Sequence, residues 1–426
     1  MLYGIVTAIT ALLLAALLSA LLRTAALRLG LVDRRRMRPV PLLGGVAVVA
    51  STCLVAAAGG WTGAAPLSDP VGGLLVAGAA VALLGLAADL WRLRTRLLLV
   101  GAAVAAAFVV PYDETGLPAG ICAVVWIACV AAAFRGLDHA DGLAGTVGVV
   151  TAFGVGACAA AEVMDDLAAL LSVLAAALTG FLMHNWPPAR IAFGACGSLF
   201  TGFVLASAAV LTRSGYDSLS SAAVLFALTA TAAADALVVL LSRWPALFRW
   251  PARRPAPRRG PDHLAHRLRR LGITPPGATV LLGVGTFSAV LVGVLVHTGW
   301  LPWTGGLWVA GVALVAVLAL LRVRGYGPRR PGETRHTRIR TGVHGAPVTR
   351  SRTGVHRTGL RETPPVRGRT GAREVPPTRG EAAVRAPRSA RGQSTQGTGR
   401  HPQVTPRPPR QSTSAQVSES LRVRDG

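Results

Sequence analysis

NWPPARIAFGACGSLFTGF, residues 185–203, joins two apolar runs through a short polar stretch. Asn185, two prolines and Arg190 lead into Gly194-x-x-Gly197-Ser198, and no acidic residue occurs between 191 and 203. Glycines at this spacing let backbone amides come close to an anion such as a phosphate. The flanking runs, 165–183 and 198–212, read as membrane spans, so the polar stretch falls at a membrane surface. If this is a phosphate site, its carboxylates must come from elsewhere in the chain.

Working outward, the same alternation fills residues 1–322. The chain has 426 residues, 52% hydrophobic and only 15% charged, with a mean hydropathy of +0.49, which excludes an ordinary soluble domain. Apolar runs near 3–22, 41–60, 71–88, 97–111, 119–134, 144–161, 165–183, 198–212, 220–242, 277–297 and 305–321 predict about eleven transmembrane helices in an all-α polytopic protein. Their length and continuity exclude a β-barrel, whose strands would alternate over roughly ten residues. The first run lacks a basic leading segment and a small-residue cleavage site, so it reads as an anchor.

All 44 basic residues are arginine. Alternate loops separate them: Arg23 to Arg38, Arg92 to Arg96, Arg135, Arg190 and Arg243 to Arg270 share one side, and Arg213 stands by itself on the other. The positive-inside rule places the N-terminus outside and the C-terminus in the cytoplasm. Cys53, Cys122, Cys129, Cys158 and Cys196 lie in or beside apolar runs without metal-ligand spacing, and are expected as buried small hydrophobes rather than disulfides or zinc ligands.

Composition divides the chain into a membrane domain, 1–322, and a tail, 323–426. The tail holds 22 arginines against six acids, with Pro, Gly, Ser and Thr throughout. It is expected to be disordered and to rest on anionic lipid or bind an acidic partner. Its one aromatic, Tyr326, gives no basis for specific nucleic-acid readout.

Polar residues concentrate in the inward loops: LVDRRRMRPVPLLGG (31–45), LLGLAADLWRLRTR (83–96), FRGLDHADGLAG (134–145), 181–203 and GPDHLAHRLRRLG (260–272). Asp33, Asp89, Asp138, Asp141 and Asp262 all fall on this face, and acids at membrane ends are commonly functional. Carboxylates with arginines, histidines and a Gly-rich stretch are the chemistry of a Mg²⁺-dependent enzyme acting on a diphosphate.

In this order the loops resemble those of the polyprenyl-phosphate N-acetylhexosamine-1-phosphate transferases, glycosyltransferase family 4, which includes the phospho-N-acetylmuramoyl-pentapeptide and undecaprenyl-phosphate N-acetylglucosamine-1-phosphate transferases. The resemblance covers roughly residues 25–275. Asp33, Arg38, Pro41, Gly44 and Gly45 match the first motif; NWPPARIAFGACGSLF and DHLAHRLRRLG match two later ones. It implies transfer of a sugar 1-phosphate from a UDP-sugar to a polyprenyl phosphate with release of UMP, and Mg²⁺ as cofactor. Carried over residue by residue, Asp89, Asp138 and Asp141 are catalytic candidates, Asp89 toward the acceptor phosphate, with Asp138 and Asp141 the metal candidates. Asp33, Arg38, Arg135, Asn185, Gly197, Ser198, His263, His266 and Arg267 are the substrate-binding candidates.

Departures from the pattern stand beside this. Ala88 occupies the first place of the family's Asp pair, Leu98 the place of a Lys, Ala132 and Arg135 those of two Asn, and Ala195 that of a metal-binding Asp; a Gly has also become His139. Two alternatives to an active transferase follow: a catalytically inactive member that binds lipid or nucleotide sugar as a partner or scaffold, or a transporter. Each candidate also has a structural reading. Asp89 pairs with Arg92 or Arg96, Asp138 and Asp141 cap or pair with Arg135, His263 to Arg270 form an interfacial basic helix, and Asn185 shapes its loop. Asp235, inside the ninth run, must find an internal partner or a wet cavity. A homodimer is left open by the sequence.

Overall fold

The computed structural model describes residues 2–33, 40–63, 68–91, 93–248 and 263–322. Arg38, Asp262 and the Arg-rich tail lie outside the described residues. The chain runs α1 (Leu2–Arg28), a two-stranded antiparallel ribbon of β1 (Val32–Asp33) and β2 (Val40–Pro41), then α2 (Gly44–Trp61), α3 (Asp69–Trp91), α4 (Thr95–Ala107) and α5 (Tyr112–Thr115). It continues through α6 (Leu117–Leu137), α7 (Leu143–Ala161), α8 (Asp165–Asn185), α9 (Gly194–Leu211), α10 (Ser218–Phe248), α11 (Leu264–Arg270), α12 (Pro275–His297) and α13 (Thr304–Arg322).

Among the described residues ten helices are long and apolar enough to cross a membrane, and the chain is a multi-pass membrane protein. Every predicted run is helical, with one correction: the fourth, 97–111, is the 13-residue α4. At 1.5 Å per residue it reaches about 20 Å, short of a hydrocarbon core of about 30 Å. The α-helix passes into turns from Phe108 and meets Pro111, which has no amide hydrogen to continue it. Starts are equally local: Thr274 caps α12 through its side-chain oxygen, accepting the Gly277 amide at 3.2 Å, with prolines following in the first turn.

α9 is the axis of the bundle. All 18 of its residues are buried, and α2, α3, α6 and α7 pack around it. A helix apolar all round has no water-facing side and belongs at the centre. Small residues bring the neighbours in. A Cβ on Gly45 would lie 2.2 Å from the Gly197 amide nitrogen, and one on Gly85 would lie 2.5 Å from the Ala195 carbonyl. Such small-residue contacts are how helices gain dispersion contact where lipid removes the hydrophobic drive. At the rim, α1 and α13 expose large apolar side chains such as Leu13 and Val315, as lipid contact requires.

Cys158 and Cys196 are buried and Cys53 partly so, but Cys122 and Cys129 are exposed on the outer surface of α6, which corrects the expectation of burial; all five are free thiols. At the other end of the bundle, Arg213 is buried: its guanidinium donates to Ser220 and Ser221 and to Nδ1 of His297. The arginine that departs from the charge asymmetry is thus an internal strut.

Candidate active site

The carboxylates missing from 191–203 arrive from two other helices. Gly194 donates its amide to Oδ2 of Asp138 at 3.0 Å, Ala195 to Oδ1 of Asp89 at 3.0 Å, and Cys196 to Oδ2 of Asp89 at 3.1 Å. The first turn of a helix has amides without intrahelical acceptors and a partial positive charge, so two carboxylates are the natural occupants. Asp89 lies in the last turn of α3, and Asp138 caps the C-terminal end of α6. Gly194 has φ 76°, and a Cβ there would meet Asp89 Oδ2 at 2.7 Å, so glycine is required for both conformation and approach.

This corrects the reading of Gly194-x-x-Gly197-Ser198 as an open anion turn. It is the first turn of α9. Gly197 serves contact with Gly45, and buried Ser198 donates back to the Gly194 carbonyl at 2.7 Å, as hydroxyls inside helices do.

Asn185 is buried at the end of α8 with both ends of its amide engaged. Its Oδ1 accepts the Gly142 amide at 2.9 Å and its Nδ2 donates to the Ile191 carbonyl at 2.8 Å. The side chain clamps the α6–α7 turn to the segment entering α9. Asn185→Ala leaves two buried backbone groups without partners, and a loss of about 2–4 kcal/mol is expected in thermal melts. Asn185→Asp keeps the acceptor but not the donor and should lose less. Asp141 accepts the Ala189 amide at 3.1 Å, so Asp138 and Asp141, although three residues apart, are turned to two different segments.

Electrostatically the pocket is mixed. The Arg135 guanidinium and the Asp33 carboxylate both act on Asp89. His263 and Arg267, at the start and on the buried side of α11, face inward. His263 Nδ1 meets Asp235 Oδ2 at 2.8 Å, and Arg267 donates to the Leu320 carbonyl at 2.7 Å. His263 is the internal partner that Asp235 was expected to need; the Leu264 amide reaches its other oxygen at 2.9 Å. His266 borders the same cluster, its ring 4.8 Å from that of His139.

Two features were not read from the sequence as parts of a site. His139, noticed there only as a replaced glycine, stacks on His263 at 3.9 Å between ring centres, and burial pushes its imidazole down to about 3, so it is neutral. Among the described residues, the group of three His, Cys or acidic side chains close enough to share an ion is His139, Asp235 and His263. Asp89, Asp138 and Asp141 do not form such a group. The signal for His139 was its position beside Asp138 in an inward turn.

Comparison with known proteins adds an independent line. The sequence pattern of glycosyl transferase family 4 matches residues 71–213, from α3 through the end of α9. A Streptomyces coelicolor protein with a provisional glycosyltransferase name is 64% identical over 333 residues, covering 77% of this chain and 80% of its own length. The decaprenyl-phosphate N-acetylglucosaminephosphotransferase of Mycolicibacterium smegmatis is 27% identical over 360 residues, 72% of this chain and 86% of that protein. A phospho-N-acetylmuramoyl-pentapeptide-transferase of Rubrobacter xylanophilus is 41% identical over a shorter stretch of 76 residues, 18% of this chain and 23% of that one.

Proposed function

The chain belongs to glycosyl transferase family 4 and is a multi-pass protein of the bacterial plasma membrane, and from that membership we propose that it transfers an N-acetylhexosamine 1-phosphate from a UDP-sugar to a polyprenyl phosphate. An oxygen of the lipid phosphate attacks the phosphorus attached to the sugar. A new phosphoanhydride bond forms, the bond to the uridylyl group breaks, and UMP leaves with its electron pair. The excess of arginine in one set of loops supports a reaction at the cytoplasmic face, as an early step of cell-wall or surface-polysaccharide assembly.

The observation that carries the reading is the convergence of Asp89 and Asp138 on the first turn of α9, with Arg135 and Asp33 within electrostatic reach. Phosphoryl transfer needs mainly positioning and charge stabilisation. Arg135 is always charged and can hold two phosphate oxygens at once.

Magnesium is the cofactor the resemblance implies, yet the described residues do not make an all-protein cage for it. Both oxygens of Asp89 and one of Asp138 accept α9 amides, Ala195 adds no oxygen, and no three described carboxylates converge. Magnesium demands near-ideal octahedral oxygen geometry.

That same occupancy favours a second reading, a family member that binds lipid phosphate or nucleotide sugar without turnover. The test is UMP release by the detergent-purified chain given undecaprenyl phosphate, Mg²⁺ and a panel of UDP-N-acetylhexosamines, with binding of each nucleotide sugar measured in parallel. UMP formed in proportion to lipid product is the expected result. Binding without UMP would replace it with the second reading, and neither would remove both.

A further inference from the structure

We propose that His139, Asp235 and His263 form a site for a borderline-soft divalent cation of the zinc type, separate from the carboxylates on α9. The three come from distant parts of the chain, the α6–α7 turn, the middle of α10 and the residue entering α11, and their donor atoms lie within 4.8 Å of one another. Two imidazole nitrogens and one carboxylate oxygen suit zinc-type ions and not magnesium.

The hydrogen bonds around the cluster prepare it for a metal. Nδ1 of His139 donates to the Gly136 carbonyl at 2.7 Å, which fixes the tautomer and leaves the lone pair on Nε2. That Nε2 is buried with no hydrogen-bond partner. A buried polar atom without a partner costs about 1–3 kcal/mol, and stacking on a second imidazole supplies no proton to it. A cation does. It would also take the place of the proton held between Nδ1 of His263 and Oδ2 of Asp235, which moves to Nε2 of His263 as the tautomer exchanges. Asp235 is 1% exposed, and the Leu264 amide on its Oδ1 orients it.

Zinc bonds of about 2.0–2.2 Å require the donors to be closer than their present widest separation. His139 lies in the turn between α6 and α7 and not within a helix, so a shift of its side chain would bring the donors together. A bare hydrogen-bonded pair of Asp235 and His263 with a stacked His139 is the competing account, and it makes a different prediction about metal.

The site does not depend on transfer chemistry, so its test does not use turnover. The full chain, purified in detergent through a tag without histidine and stripped with a chelator, is titrated with Zn²⁺ against a chromophoric competitor and with Co²⁺ for its visible absorption. One equivalent per chain is expected, with Co²⁺ bands of a four-coordinate nitrogen–oxygen site. His139→Gly and His139→Gln should weaken Zn²⁺ binding by about a hundredfold or more, since even outer partners of metal ligands change affinity by 10–100-fold. Thermal melts of the metal-free proteins establish that the variants are folded, and Gln preserves side-chain bulk should Gly not fold. Substoichiometric binding by the unaltered chain, or unchanged binding in a folded His139 variant, overturns the proposal.

Discussion

Asp89→Ala is expected to lower the melting temperature and abolish UMP release together, because one side chain closes the helix at the centre of the bundle. The substitution leaves the Ala195 and Cys196 amides without acceptors in a part-buried turn. Hydrogen bonds to a charged group contribute about 1.5–3 kcal/mol each, so the loss should be about 3–6 kcal/mol. No compensating cap is at hand, since Phe193 at the N-cap position has no side-chain oxygen. Asp89→Asn separates geometry from charge. It keeps one acceptor and should melt between the parent and Asp89→Ala, while removing the negative charge that acts on Arg135. UMP release that falls in Asp89→Asn far more than stability does would assign Asp89 a part in the chemistry. An Asp89→Ala protein that melts like the parent would remove the capping account.

The distance over which that cap acts explains what the sequence concealed. Ala195 and Asp89 are 106 residues apart, so nothing local distinguishes a free glycine turn from a helix start whose caps come from other helices. The same holds for Gly45 and Gly197, whose spacing matters only once α2 and α9 touch. By contrast, the spans were legible because twenty apolar residues in a row have few other fates. α4 shows the limit of that signal: 97–111 is apolar throughout, but where the helix stops is decided by Phe108 to Pro111. Asp235 was readable in kind, since an acid in an apolar helix needs a partner, whereas its partner His263 and the stacked His139 could not be identified without the fold.

Ala195→Asp is expected to turn a helix cap into a magnesium site. Ala195 is 3% exposed in the first turn of α9, its amide held by Asp89 and its neighbour's by Asp138. A third carboxylate there gains from the helix dipole, but it stands beside two like charges in a buried place. Without a cation the variant should therefore melt below the parent. With Mg²⁺ three carboxylates become a hard oxygen set, and the order should reverse. At one hundred times Kd the bound ion adds about 2.7 kcal/mol, enough to read as a saturable rise in melting temperature that the parent lacks. UMP release should rise with the same Mg²⁺ dependence if the carboxylates on α9 face the transferring phosphate. A variant whose melting ignores Mg²⁺ would show that position 195 is not where the cation sits. Ion binding without any gain in UMP would separate the metal from the chemistry and leave the remaining altered positions, among them Ala88, Leu98 and Arg135, as the barrier to turnover.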